Sequence, residues 1–123
     1  MTYHEHNDNQ FARYLRSGAP EAFKALQAFD HAAIDSEAKV IPRKYTELIA
    51  VAVGLTTQCA YCIEAHSKAA QEAGATEAEL AETVMITSVL RAGGGYAHGF
   101  MAMKFFKQAE AETNEKLDVE AVA

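Results

Sequence analysis

Proline stands at only two of the 123 positions, Pro20 and Pro42, and both are places where a helix can begin. Inside a helix proline costs about 3 kcal/mol, but in the first turn its missing N–H has no partner to lose. Alanine, the strongest helix former, is in excess, so the expected class is all-α. Phe23, Leu26, Phe29 and Ala33 or Ile34 recur at helical spacing after Pro20. Pro42 opens a helix that is almost wholly apolar from Leu48 to Leu55; a run this apolar also fits a buried strand, but the proline start and the alanines favour helix. Thr56-Thr57-Gln58 breaks the pattern, and a new helix starts near Cys59 or Ala60 and stops at Gly74. Thr76 and Glu79 form a T-x-x-E capping box ahead of Leu80, Val84, Ile86, Val89 and Leu90. Gly93-Gly94-Gly95 marks an end, or a bend where helices approach closely, before a last helix from about Tyr96 to Glu112. With a short helix over 10–16, this predicts a bundle of about six helices. The length suits one domain, 1–123, with a loose arm over 1–9 and a frayed tail over 114–123.

Charge and patterning exclude several function classes. A net charge of −6 repels phosphate backbones, so no nucleic acid partner is expected. No apolar run approaches the ~20 residues of a membrane span, and no basic amphipathic stretch suggests a membrane surface. The polar N-terminus lacks the basic start and apolar stretch of a secretory signal, so a cytoplasmic location is expected. In a reducing cytosol a single cysteine pair points to catalysis or metal binding rather than a structural staple.

The informative segment is Cys59-Ala60-Tyr61-Cys62-Ile63-Glu64-Ala65-His66. Cys59 and Cys62 face the same side of a first helical turn, a spacing that allows a reversible disulfide. The helix N-terminus favours a thiolate there. About 1.4 kcal/mol of such stabilisation lowers a thiol pKa from ~8.5 to ~7.5 and raises the thiolate at pH 7 from roughly 3% to roughly 25%. His66, one turn beyond Cys62, can accept the thiol proton and return it. A histidine in that role is usually oriented by a third group, and Glu47 is the candidate. An antiparallel turn through Thr56-Thr57 brings Glu47 near the later turns of the next helix. These arguments do not by themselves separate nucleophile from resolver, because both sulfurs share one helical turn.

The segment from Glu47 to His66 has the pattern E-x11-C-x2-C-x3-H, followed by Lys68-Ala69-Ala70, Gly74-Ala75-Thr76 and Arg91-Ala92-Gly93. It resembles the AhpD-like, carboxymuconolactone decarboxylase superfamily over a motif core of 42–106. The resemblance implies an all-helical fold that assembles as trimers or hexamers, and a thiol-dependent peroxidase or disulfide reductase that needs no prosthetic group. It implies that Cys62 attacks the peroxide or disulfide substrate, that Cys59 resolves the product, and that Glu47 and His66 relay protons. An external dithiol, of lipoyl or thioredoxin type, would restore the reduced pair. Where Tyr61 stands, family peroxidases of the AhpD type often carry histidine.

Other readings compete. Cys59, Cys62, His66 and His98 offer four zinc ligands for a structural or regulatory module, although the distance to His98 is not a known finger spacing. A decarboxylase-like, non-redox enzyme is the other alternative, although decarboxylases of the superfamily generally lack the CxxC. His98 and Tyr61 are candidate pocket residues, with interior packing the competing role for each. The Phe100, Met103 and Phe106 set reads as core or subunit interface. His4 and His6 read as solvated, and Glu77, Glu79 and Glu82 as capping and surface charges.

Overall fold

A computed structural model describes residues 3–123. Residues 1 and 2 of the expected N-terminal arm lie outside the described residues. The protein is all-α: α1 is Ala12–Gly18, α2 Pro20–Asp30, α3 Arg43–Thr57, α4 Ala60–Glu72 and α5 Glu77–Val122. A 3-10 turn, Asp8–Phe11, precedes α1, and a π-helical turn, His31–Asp35, extends α2. Among the described residues five α-helices thus stand where about six were expected. The chain divides into two compact units, the first ending at Thr87 and the second running Ser88–Ala123.

In the first unit α3 packs against α4. Pro42 is the N-cap of α3, and its carbonyl accepts the N–H groups of Tyr45 and Thr46 at 3.0 Å each. Thr46, Glu47, Leu48, Val51 and Gly54 form the buried stripe of that helix. At its end Gln58 takes a left-handed φ of 57°, and the Cys59 N–H turns back onto the Gly54 carbonyl at 3.0 Å. Gly54 is where the two helices come closest: a Cβ there would lie 3.2 Å from the Cys62 Cβ and 3.5 Å from Ile63. Gly74, at φ +93°, closes the segment after α4, a conformation that L side chains rarely adopt.

The absent break is in α5. Gly93, Gly94 and Gly95 are helical, and a Cβ at any of them would meet nothing within 4 Å. Glycine weakens a helix interior by about 1 kcal/mol per residue but ends a helix only where it adopts a left-handed φ. None of the three does so, and strong helix formers flank them. The helix also continues past Asn114 to Val122, where a frayed end was expected. Within the second unit, Tyr96 and Phe100 make an edge-to-face contact with ring centroids 5.0 Å apart. Phe100, Met103, Phe105 and Phe106 are exposed there. No helix among the described residues is long and apolar enough to cross a membrane.

Candidate active site

Cys59 and Cys62 are joined as a disulfide at the start of α4. Cys59 is the N-cap, in extended conformation, and its sulfur accepts the Cys62 N–H at 3.2 Å. A helix N-terminus has unpaired N–H donors and a positive dipole end, so a thiolate at the Cys59 sulfur would be stabilised by the same contact.

Glu47 lies on the buried face of α3 with no exposed surface. A carboxylate there is sustained only by partners, and it has two. Its Oε2 is 2.6 Å from His66 Nδ1, and its Oε1 accepts from Arg43 Nε at 2.6 Å. The structure therefore brings together Glu47 and His66, the pair suggested by folding α3 back along α4. Arg43 was missed, although its i,i+4 spacing from Glu47 is the signal for such a pair. With Nδ1 committed to Glu47, the other ring nitrogen of His66, Nε2, has no partner among the described residues.

Cys62 and His66 line one cavity of about 330 Å3, together with Ala33, Ile34, Ile41, Ile49 and other residues of the first unit. Cys59 is not among its lining residues. The cavity wall is formed by α3, the start of α4, and the stretch from the π-helical turn to Ile41.

Tyr61, between the cysteines, does not line this cavity; it is exposed on the other side of α4. Its hydroxyl donates to Asp8 Oδ2 at 2.8 Å, which raises the tyrosine pKa above its ordinary value. Asp8 is lowered, first by the Glu5 N–H and then by the Tyr61 hydroxyl. His4, read from sequence as solvated, is half-buried instead. Its Nε2 is 2.7 Å from Glu64 Oε2, and its ring meets Tyr61 edge-on at 4.3 Å between centroids. Glu64 is lowered mainly by the Lys68 ammonium and then by His4. Described residues of the arm thus contact the outer face of the CxxC helix. His6 is exposed.

Glu79 is more than a surface charge. Its N–H donates to Thr76 Oγ1 at 3.1 Å, as the capping box requires, while its carboxylate pairs with Lys44 at 3.2 Å. That pairing raises the lysine pKa, chiefly through the hydrogen bond. His98 is exposed on α5, its Nδ1 donating to the Gly94 carbonyl at 3.1 Å. Among the described residues, no three or more His, Cys, Asp or Glu side chains are grouped to hold a metal ion.

These features define a class: an all-helical protein with a cysteine pair at a helix start, beside a buried Glu–His couple and an aliphatic cavity. The chain belongs to the carboxymuconolactone decarboxylase family, whose model matches residues 20–105. It is similar to uncharacterized protein 4 in the cox locus of Paracoccus denitrificans, at 40% identity over 92 residues, 72% of this chain and 77% of that protein. It is also similar to an uncharacterized protein of Haemophilus influenzae, at 39% identity over 92 residues, 75% of this chain and 80% of that one.

Proposed function

We propose that the protein is a thiol-dependent oxidoreductase, a peroxidase or disulfide reductase, that cycles Cys59 and Cys62 between dithiol and disulfide. The observation that carries this reading is that Cys62 and the Glu47-held His66 line the same cavity. In the oxidising half, His66 takes the Cys62 proton at Nε2. The thiolate attacks the terminal oxygen of a hydroperoxide, the O–O bond breaks, and the alkoxide leaves as alcohol with the proton from His66. The Cys59 thiol then displaces water from the Cys62 sulfenic acid and forms the disulfide. In the reducing half, an external dithiol attacks Cys62, the cysteine that lines the cavity. Cys59 leaves as a thiolate that accepts the Cys62 N–H. A substrate disulfide follows the same route through a mixed disulfide on Cys62.

The reading includes a homo-oligomer, a trimer or hexamer. Apolar side chains such as Phe100, Phe105 and Phe106 are exposed in the Ser88–Ala123 unit, and a second copy of the chain would cover them. The assembly is read as cytoplasmic.

Mass spectrometry of reduced, metal-free protein before and after one equivalent of hydroperoxide tests the cycle. Loss of two hydrogens mapped to a Cys59–Cys62 bond, reversed by a dithiol, is expected. Cys62→Ser and Cys59→Ser are each expected to abolish dithiol-recycled turnover; full activity in either would overturn the scheme. A non-redox, decarboxylase-like reading draws on the family match alone and requires activity that survives loss of both cysteines.

A further inference from the structure

The cavity beside Cys62 has one feature that the redox cycle does not use. Its wall is largely aliphatic, with Ile34, Ile41, Ile49 and Val53, yet Lys39 also lines it, and no Asp or Glu does. Lys39 lies between the π-helical turn and α3, where its N–H donates to the Ser36 carbonyl at 3.3 Å. Among the described residues its ammonium has no ion-pair partner, unlike those of Lys44, Lys68 and Lys107. The other unpaired lysines, Lys24, Lys104 and Lys116, are exposed, whereas Lys39 is half-buried. A cation partly withdrawn from water beside an apolar wall, with no counter-charge, is poised for an anionic ligand. The buried Glu47 carboxylate does not supply that counter-charge, because Arg43 and His66 already engage both its oxygens.

We infer that Lys39 is a specificity-determining residue and that the substrate is an aliphatic molecule bearing a carboxylate. The Lys39 ammonium holds the carboxylate while the hydroperoxide group of the same molecule reaches the Cys62 sulfur. This rests on the redox reading above. The chemical step is unchanged: one oxygen passes to sulfur, the remainder leaves as a hydroxy acid, and Lys39 neither gives nor takes a proton. A cavity of about 330 Å3 falls at the lower end of the ~300–1,000 Å3 typical of small-molecule sites. At ~30 Å3 per non-hydrogen atom it holds about ten of them, the size of a medium-chain acid.

The test measures occupancy apart from turnover. Reduced protein is alkylated at Cys62 by iodoacetamide near pH 7, with octanoate or its uncharged counterpart octanamide as protectant, and the modified peptide is quantified by mass spectrometry. Octanoate is expected to protect at a concentration about tenfold lower than octanamide. That preference is expected to vanish in Lys39→Met and to persist in Lys39→Arg. Equal protection by the two compounds in the unmodified protein, or a preference that survives Lys39→Met, would overturn the assignment. Turnover of uncharged tert-butyl hydroperoxide is measured in parallel. Turnover without an octanoate preference sinks the Lys39 inference and leaves the redox reading standing. An octanoate preference without turnover of any hydroperoxide or disulfide supports the carboxylate site and sinks the redox reading.

Discussion

In α3 a carboxylate, Glu47, is completely buried, whereas in the Ser88–Ala123 unit Phe100, Phe105 and Phe106 are each more than half exposed. The usual sorting of polar and apolar side chains is inverted between the two regions. Around Glu47 the inversion is sustained by short charge-assisted contacts to Arg43 and His66. In the second unit no comparable contact among the described residues offsets the apolar exposure; under the proposed assembly a second copy would cover it.

The largest effect expected from breaking this contrast follows removal of the buried carboxylate. Glu47→Ala leaves Arg43 and His66 unpaired and should cost about 3 kcal/mol, the low end for a broken buried pair because Arg43 is partly exposed. Calorimetry should show Tm falling by roughly 10 °C, and an unchanged Tm would mean that the trio does not stabilise α3 against α4. Next comes Phe100→Asp. If a second copy covers this face, the substitution removes about 1.5–3 kcal/mol of burial per chain and adds a charge to the contact. Light scattering should then report a mass near that of a single chain; a mass equal to that of the unmodified protein would leave Phe100 outside any interface.

Gly54→Ala has a smaller expected effect. The added methyl presses on the Cys62 Cβ, which is fixed to the backbone of α4 and cannot swing aside. Overpacking of about 1–3 kcal/mol, partly offset by the better helix propensity of alanine, leaves a net loss of about 1 kcal/mol. Disulfide formation after peroxide should slow as Cys62 is displaced; an unchanged rate would show that the helices can part without cost. The smallest effect concerns the arm. Asp8 and Glu64 both titrate below their ordinary values while the arm is docked. Their contribution is present at neutral pH and lost as the pH falls through those lowered values. Hydrogen-exchange protection over 5–12, corrected for the intrinsic rate at each pH, should therefore fall in acid more than protection in α3; equal loss in both would separate the arm's docking from these two carboxylates.

Much of this arrangement was legible in the sequence. Pro20, Pro42, Cys59 and Thr76 each stand at or beside a helix start, because caps and first turns use chemistry local to the chain. The Glu47–His66 contact was legible because two helices joined by a tight turn must run back along each other. Lys39 and His4 were not legible, since a loop and an arm have no period that says which face they will meet. The continuous α5 was misread because three glycines look like a stop, while only their backbone angles decide whether they act as one.

His4 and Asp8 lie against the helix that carries both sulfurs. The choice of expression tag therefore bears on the chemistry of the cysteine pair. A fusion joined to the arm alters the segment that carries His4 and Asp8, which contact the cysteine helix. Rates of oxidation or alkylation measured on N-terminally tagged protein describe the tagged surface, and removal of the tag belongs before the first assay.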